Sequence, residues 1–251
     1  MSCQTYSFIV KKYSTRAEMG ACAAAEASAV IRRLLAEKGE ISMIFAAAPS
    51  QNEFLATLAA DPEIDFTRIT AYHMDEYVGL TEDAPQRFGN FLREHIFDLA
   101  PFKAVHYIRG NAEDVDGECE RYGNLLKNTH IDVVCMGIGE NGHIAFNDPH
   151  VADLNDPVLV KKVSLDDVCR MQQVHDGCFA SFDEVPQYAL TLTIPALMNA
   201  DYHFCMVPAA SKANAVRETV YGPISEKCPA TALRRCENAV LYVDSDSGAH
   251  L

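Results

Sequence analysis

The chain alternates between short apolar runs rich in β-branched residues and longer segments whose apolar residues recur at helical spacing. The runs predict strands, and the periodic segments predict helices. The predicted strands are 41–48, 69–74, 104–108, 131–136, 158–163, 202–207 and 239–244, and the predicted helices are 14–38, 53–60, 87–97, 113–128 and 164–174. Such alternation is typical of a mainly parallel sheet covered by helices on both faces. We therefore predict an α/β, Rossmann-like fold with residues 1–251 in a single domain.

Capping residues mark the ends of some predicted helices. Ser14 or Thr15 can accept hydrogen bonds from the first turn of helix 14–38, and Gly39 is suited to end it. Ser164 is the predicted cap of helix 164–174. These caps define where the connecting loops begin.

The composition argues against several classes of function. Charged residues make up 22% and hydrophobic residues 49% of the chain, with a formal net charge of −14 and a pI of about 5.0. So acidic a chain argues against nucleic acid and anionic membrane as partners, although a local cationic pocket can still bind an anionic small molecule. The nine cysteines lack a C-x-x-C motif, and neither an apolar N-terminal leader nor an apolar run of about 18 residues is present. We therefore expect a reduced, cytoplasmic protein without a structural metal site.

The segment 131–149, I-D-V-V-C-M-G-I-G-E-N-G-H-I-A-F-N-D-P, is the most distinctive of the chain. Its first half predicts a buried strand, and three glycines at 137, 139 and 142 follow at once. Their spacing matches the dinucleotide motif G-x-G-x-x-G, which requires a helix to open on the third glycine. Pro149 would interrupt such a helix, so we do not expect dinucleotide binding. The strand is instead expected to present His143, Asn147 and Asp148 on a loop.

A second strand is predicted to end beside two acids. The run 69–74 is followed directly by Asp75 and Glu76. Ligands bind outside the carboxyl ends of the strands in open α/β sheets. A loop histidine is by itself most often structural, but His143 and Asp148 are expected at the same edge as these acids. Together they predict an acid/base cleft, which only one of the two adjacent acids faces, because consecutive strand residues point in opposite directions.

Several motifs resemble those of the glucosamine-6-phosphate deaminase (isomerase) family. They are M-D-E-Y-V-G-L at 74–80, G-I-G-E-N-G-H-I-A-F-N-D-P at 137–149, V-P-Q-Y-A-L-T-L-T-I-P-A-L-M-N-A at 185–200 and S-K-A at 211–213. The resemblance covers nearly the whole chain in the same order, and its first two motifs are long and specific. It implies an amino-sugar-6-phosphate deaminase that acts on a small sugar phosphate and requires neither a metal ion nor an organic cofactor.

The resemblance also implies roles for individual residues. Such an enzyme opens the pyranose ring, moves a proton from C2 to C1 and hydrolyses the resulting imine to a ketose 6-phosphate and ammonia. Asp75 corresponds to the carboxylate beside the C1–C2 edge. His143 corresponds to the acid/base group at the ring oxygen, with Asp148 and Asn141 as its partners.

Two residues depart from the pattern of the resembled family. Asn141 stands where the family usually has aspartate, and Asp148 stands where it usually has glutamate. An asparagine can orient an imidazole but cannot stabilise an imidazolium by charge, and the carboxylate at 148 is one methylene shorter. The ring-opening relay could then use His143 and Asp148 alone, or Glu140 could substitute for the missing carboxylate. These departures leave both glucosamine-6-phosphate and galactosamine-6-phosphate as candidate substrates.

The substrate phosphate is expected at the N-terminal ends of two helices, where free N–H groups favour an anion. Ser50 and Gln51 precede the first, although 46–48 are alanines where the resembled family often has glycine. Lys212 begins the second of these helices, and the alternative is that it is an ordinary exposed lysine. Arg170 is a displaced candidate for the family's phosphate arginine and is equally compatible with a surface ion pair. The predicted substrate-binding residues are Ser50, Gln51, Glu76, Gly142, Arg170 and Lys212.

Three other functions are compatible with parts of the pattern. A 6-phosphogluconolactonase would share the fold and the G-x-G-x-x-G-H loop but needs no carbon base, so assays of lactone hydrolysis and ammonia release separate the two. A non-catalytic sugar-phosphate sensor would carry a DNA-binding module, which we do not expect in this acidic chain. A Rossmann-type dehydrogenase would bind a dinucleotide. The sequence does not specify the oligomeric state, and a homo-oligomer is compatible with it.

Overall fold

The computed structural model describes residues 8–251, so Cys3 and the start of the N-terminal segment, where we expect no apolar leader, lie outside the described residues. The strands are β1 Ile9–Lys12, β2 Ile41–Phe45, β3 Ile69–His73, β4 Asp75–Tyr77, β5 Ala104–His106, β6 Val133–Met136, β7 Val160–Ser164, β8 Tyr188–Leu192, β9 Tyr202–Val207 and β10 Ala239–Val243. The α-helices are α1 Arg16–Lys38, α2 Asn52–Ala59, α3 Phe88–Leu92, α4 Val115–Lys127, α5 Asp167–His175, α6 Ile194–Met198 and α7 Ala213–Tyr221. No helix within residues 8–251 is long and apolar enough to cross a membrane.

Seven strands form one parallel sheet in the order β1-β10-β9-β6-β2-β3-β5. From β2 the sheet continues through β3 to β5 on one side, and from β6 it continues through β9 and β10 to β1 on the other. The strand order therefore reverses between β2 and β6, and such a reversal opens a crevice at the carboxyl ends of the strands. The predicted mainly parallel, Rossmann-like α/β fold is confirmed.

Helices cover both faces of the parallel sheet, and a separate hydrophobic cluster fills each side. Met43 and Phe45 of β2 belong to the cluster formed with α1 and α2, whereas Ile44 between them belongs to the cluster formed with α4, α6 and α7. Burial of both faces explains why the central strands are continuous apolar runs in the sequence. It also fixes the register of each strand, and thereby the position of the loop that follows it.

A second sheet, which the sequence pattern does not predict, stands beside the first. β4, β8 and β7 form an antiparallel sheet in which Asp75 lies opposite Thr191. The predicted strand 69–74 ends at His73, and the chain turns at Met74 into β4. β4 has only three residues, all of them buried, so it carries no alternating pattern that could identify it. Asp75 therefore lies on its own short strand rather than at the end of β3.

The predicted cap of α5 is wrong. Asp166 is the N-cap residue, and its Oδ1 accepts a hydrogen bond from the N–H of Cys169 at 2.6 Å. Ser164 instead ends β7, because its pairing with Tyr188 of β8 keeps it in the strand. For α1 the prediction is confirmed, since Thr15 caps its start and Gly39 ends it with a φ of +82°.

Candidate active site

A cleft opens at the carboxyl edge of the parallel sheet, lined by the loops that follow β2, β6 and β9 together with β4 and α5. Four of the predicted site residues line it, namely Ser50, Asp75, His143 and Lys212. They come from four separate segments of the chain. The topology of the sheet, and not proximity in sequence, brings them together.

Asp75 supplies a nearly buried carboxylate to the cleft from β4. The imidazole of His73 holds its backbone in place. The N–H of Ile108 donates to His73 Nε2 at 2.8 Å, so the imidazole proton is on Nδ1, which donates to the carbonyl oxygen of Asp75 at 2.9 Å. Burial, and secondarily the charge of Glu76, raises the pKa of Asp75 well above the usual range of a carboxyl group. A raised pKa makes the carboxylate a stronger base.

Glu76 lies outside the cleft, which corrects the prediction that it contacts the substrate. Its carboxylate accepts hydrogen bonds from the backbone N–H groups of Tyr77 at 2.9 Å, Phe88 at 3.0 Å and Gly89 at 3.0 Å. Burial raises the pKa of Glu76, and the hydrogen bonds from Gly89 and Phe88 oppose that rise. Glu76 therefore anchors the start of α3, while Asp75, one residue earlier, faces the cleft, as the alternation of side chains along a strand requires.

The glycine-rich loop after β6 is shaped around His143. A side chain at Gly139 would collide with the imidazole of His143, so only glycine fits there. Gly142 has a φ of +83°, and a Cβ on it would approach Cys228 Sγ to 2.6 Å. Its carbonyl accepts the N–H of Ala230 at 2.9 Å. Gly142 thus packs behind the loop and does not line the cleft, which corrects its predicted contact with the substrate.

No helix opens on the third glycine of the loop. The chain instead makes a tight turn from Ile144 to Asn147, and the next helix is α5. The buried amide of Asn147 donates to the carbonyl oxygens of Ile144 at 2.9 Å and Leu192 at 2.8 Å, so Asn147 ties the turn to the second sheet. The loop therefore lacks the arrangement that binds a dinucleotide pyrophosphate.

His143 and Asp148 form a close pair in the wall of the cleft. Nδ1 of His143 lies 3.0 Å from Oδ1 of Asp148, although off the direction of a linear hydrogen bond. Burial acts to raise the pKa of Asp148, but the contact with His143, the amide of Asn141 and the N–H of Asp166 outweigh it, so the pKa is lowered. Asp148 is therefore an anion beside Nδ1, and this contact involves Nδ1 and not Nε2 of the imidazole.

Asn141 lies behind this pair and does not line the cleft. Its Nδ2 donates to Oδ1 of Asp148 at 3.0 Å and to Oδ2 of Asp166 at 2.9 Å. Its Oδ1 accepts the backbone N–H of His143 at 3.0 Å. Asn141 therefore contacts both members of the pair. Glu140, considered as a substitute carboxylate, points elsewhere, with Oε1 3.6 Å from Nδ1 of the histidine that ends α5.

Another wall of the cleft carries a cation without a counter-ion. Lys212 precedes α7 and is only 5% exposed, and its ammonium has no hydrogen-bond partner among residues 8–251. Burial lowers the pKa of Lys212, and the charges of Asp176 and Glu140 partly oppose this effect. Ser50 lies in the same cleft. Gln51 is buried beneath it, and its Nε2 donates to Ser50 Oγ at 3.0 Å, so Gln51 supports Ser50 rather than lining the cleft.

Arg170 does not reach the cleft, which corrects its predicted contact with the substrate. Its Nη2 donates to the carbonyl oxygens of Phe182 and Val185, both at 2.9 Å, and the guanidinium lies 3.9 Å from the centre of the Phe182 ring. The alternative of a surface ion pair is also wrong, because Arg170 is buried. Arg170 therefore holds the chain that follows α5 against this helix.

The cleft residues of α1 and α5 are not among the site residues predicted from the sequence. Arg16, in the first turn of α1, lines the cleft while its guanidinium pairs with Glu53 at 2.6 Å and donates to the carbonyl of Pro49 at 2.7 Å. Helix α5 contributes Gln172 and Gln173, and its C-cap residue Asp176 also lines the cleft. The adjacent glutamines are the one available signal, since two consecutive buried amides need polar surroundings.

Potential metal ligands also meet in the active site. His143, Asp148 and Cys169 offer one nitrogen, one oxygen and one sulfur atom within 4.8 Å of one another. Such a mixed set would suit an ion of the zinc type. The pairing of His143 with Asp148 accounts for their proximity without an ion, and Cys169 belongs to the hydrophobic core.

Comparison with known proteins agrees with this geometry. A family model described as glucosamine-6-phosphate isomerases/6-phosphogluconolactonase matches residues 14–242. The glucosamine-6-phosphate deaminase of Streptococcus pyogenes serotype M1 is 30% identical over 222 residues, which cover 85% of this chain and 89% of that protein. The glucosamine-6-phosphate deaminase of Bacillus cereus strain G9842 is 36% identical over 185 residues, which cover 74% of this chain and 69% of that protein.

Solved structures show the same relationship. The structure of a monomeric glucosamine-6-phosphate deaminase has a TM-score of 0.88 at 27% identity and covers 96% of this chain and 99% of its own. The 6-phosphogluconolactonase of Thermotoga maritima shares the fold, with a TM-score of 0.78 at 20% identity and coverage of 95% and 100%. The chain is thus an enzyme similar to the glucosamine-6-phosphate deaminases, and it belongs to the family of glucosamine-6-phosphate isomerases and 6-phosphogluconolactonases.

Proposed function

We propose that the protein converts an amino-sugar 6-phosphate, either glucosamine-6-phosphate or galactosamine-6-phosphate, into the ketose 6-phosphate and ammonia. The observation that carries the proposal is the meeting of Asp75, His143 and Lys212 in one cleft. They would supply a carbon base, an acid/base group for ring opening and a cation for the phosphate, which this reaction needs. The deaminases among the relatives support the same reaction class.

In this proposal His143 opens the sugar ring. The imidazole takes the proton of the C1 hydroxyl and delivers a proton to the ring oxygen, so that the bond from C1 to the ring oxygen breaks and C1 becomes an aldehyde. During this exchange the imidazole is transiently positive. The anionic Asp148 beside Nδ1 stabilises that charge, and Asn141 holds Asp148 in position.

Asp75 then moves a proton from C2 to C1. Removal of the C2 proton gives an enolamine, and return of the proton to C1 leaves an imine at C2. Water adds to the imine and ammonia leaves, which generates the ketose. The raised pKa of Asp75 suits a group that must both take up and return a proton.

Lys212 and Ser50 would bind the phosphate at the N-terminal end of α7. The buried ammonium, which has no hydrogen-bond partner among residues 8–251, gains a counter-ion in the phosphate, and charge-assisted hydrogen bonds to phosphate oxygens are among the stronger ones. Arg16 in the same cleft adds positive charge, although Glu53 partly neutralises it. This local cationic site explains how a chain of net charge −14 can bind a sugar phosphate.

Ammonia release measured side by side on the two amino-sugar 6-phosphates tests the proposal, with unphosphorylated glucosamine as the control. We expect release from at least one phosphorylated sugar and far less from the control. Hydrolysis of 6-phosphogluconolactone without ammonia release would assign the protein to the other branch of its family. Saturable binding of an amino-sugar phosphate without turnover would identify a sensor.

A further inference from the structure

Two carboxylates and one amide form a part-buried cluster that includes Asp148 of the His143–Asp148 pair. Asp148 and Asp166 approach the same nitrogen, Nδ2 of Asn141, at 3.0 and 2.9 Å. The backbone N–H of Asp166 also donates to Oδ2 of Asp148 at 3.0 Å. Asp148 is fully buried. The titratable groups around Asp148 are therefore His143, Asp166, the thiol of Cys169 and the exposed imidazole of His150, and Asn141 is its amide partner.

The orientation of the Asn141 amide follows from its partners. The two carboxylates can only accept hydrogen bonds, so the NH₂ group faces them, and the backbone N–H of His143 can only donate, so the amide oxygen faces it. An aspartate at 141 would satisfy His143 equally well but would place a third carboxylate against the other two. Like charges at this distance in a buried site cannot all remain ionised at low cost.

Asp166 also connects the cluster to the opposite wall of the cleft. It is the N-cap residue of α5, and its second oxygen, Oδ1, accepts the N–H of Cys169 at 2.6 Å. Gln172 and Gln173 of the same helix and Asp176, the residue that ends it, line the cleft. The carboxylate of Asp166 thus accepts one hydrogen bond from Asn141, which contacts the His143–Asp148 pair. It accepts another from the first turn of α5, the helix that forms a wall of the cleft.

We propose that Asp166 is a positioning residue for the His143–Asp148 pair and that its carboxylate is matched to an amide at 141. The proposal rests on the proposed function for its kinetic readout. Asn141 then has one acidic partner at 148 and a second at 166. The residues at 141 and 166 are then interdependent, and one carboxylate is accommodated between them but not two.

Asp166→Asn makes a discriminating test because asparagine is also a good N-cap residue. In the parent, an amide at 166 must either turn its oxygen to Asn141 and lose the cap, or keep the cap and set its NH₂ group against that of Asn141. In an Asn141→Asp background the same change removes one of three clustered carboxylates and restores a donor to the new carboxylate at 141. The effect of one substitution should therefore change sign with the residue at 141.

The experiment is a cycle of the parent, Asn141→Asp, Asp166→Asn and the double variant, with thermal melting to confirm folding. We expect Asn141→Asp to lower kcat by roughly 10- to 100-fold, the usual range for groups that orient a catalytic side chain. We expect Asp166→Asn to lower kcat in the parent but to raise it in the Asn141→Asp background, with a coupling factor on the order of 10. The control is Asp167→Asn, which removes a neighbouring exposed carboxylate at the same end of α5 and should leave kcat and the coupling unchanged.

A second readout does not depend on turnover. NMR titration of the His143 imidazole without substrate should show that Asn141→Asp holds its proton to higher pH than the parent and that adding Asp166→Asn reverses part of the change. The same effect of Asp166→Asn in both backgrounds, in kinetics and titration, would overturn the proposal. A parent that releases no ammonia, combined with a coupled titration, would reject the proposed function but keep the positioning role.

Discussion

Asp75 and Glu76 are adjacent, acidic and buried, yet the protein uses them for opposite purposes. Three backbone N–H groups satisfy the carboxylate of Glu76, which therefore fixes the start of α3. The Asp75 carboxylate faces the cleft instead, and burial raises its pKa. The chemical difference arises from the alternation of side chains along β4, because each side of that short strand meets a different environment.

Replacing Asp75 by asparagine should remove the carbon base while keeping the shape of the side chain. We expect kcat to fall by roughly 10²–10⁴-fold with little change in substrate binding, because a positioned base acts on the transition state. Exchange of the C2 hydrogen of the substrate with solvent deuterium should also stop. Deaminase activity that survives in Asp75→Asn, with deuterium still entering the product, would assign the carbon base to another residue.

Replacing Lys212 by methionine should weaken binding of the phosphorylated sugar by roughly 1.5–3 kcal/mol, which is about 10- to 150-fold in KM. The change removes the one buried ammonium of the cleft, and methionine fills a similar volume. Inhibition by inorganic phosphate should weaken in parallel, while the exposed Lys227→Met serves as a control. Unchanged inhibition by phosphate in Lys212→Met would place the phosphate elsewhere.

Helix α5 shows how one short element can combine support and recognition. Its N-terminal end bonds to Asn141, its middle supplies cleft-facing glutamines, and Arg170 on its inner side holds the following turn. Its pattern in the sequence predicts a helix but not these contacts, because they depend on partners 12 or more residues away along the chain. Arg170 is predicted at the phosphate as a displaced candidate for the family's phosphate arginine, but in the folded chain its Nη2 donates to the carbonyl oxygens of Phe182 and Val185.

Arg170→Gln should therefore affect stability rather than phosphate binding. Loss of two hydrogen bonds to buried carbonyl groups and of the stacking on Phe182 should lower the free energy of unfolding by about 2–3 kcal/mol. Thermal melting measures the change in stability. Inhibition by inorganic phosphate, at a temperature where the variant is folded, measures phosphate binding. A large loss of phosphate affinity with an unchanged melting temperature would restore the original prediction for Arg170.

At the scale of the whole molecule, the parallel sheet is predictable because strands buried on both faces leave long apolar runs between periodic helices. The second sheet is not, since β4 is too short to show a period. Ser50, Asp75, His143 and Lys212 could be predicted because each follows or ends an apolar run at the ligand-binding edge. Arg16 could not be predicted in this way, because β1, the edge strand that it follows, is not among the predicted strands, and α1 packs beside α2 at the cleft.

The stability of the whole protein should depend on pH through His73. This imidazole is completely buried between Asp75 and Ile108, and burial lowers its pKa from 6.5 to about 4. Above pH 6.5 the imidazole is neutral in both the folded and unfolded states. Between pH 6.5 and about 4 it binds a proton in the unfolded chain but not in the folded chain. Its contribution to stability is therefore complete above pH 6.5 and is lost as the pH falls towards 4, by about 3 kcal/mol in total.

Urea unfolding of the parent and of His73→Asn at pH values from 7 to 4 measures this contribution. The asparagine variant should be less stable at pH 7, because a smaller side chain cannot bond to both Asp75 and Ile108, and the difference should shrink as the pH falls. Comparing the two proteins cancels the opposite effect of Asp75 and Glu76, whose raised pKa values favour the folded state as the pH falls. The exposed His250→Asn is the control and should follow the parent at every pH. A difference between parent and His73→Asn that stays constant over this range would show that His73 is not the group that links the stability of the fold to acid.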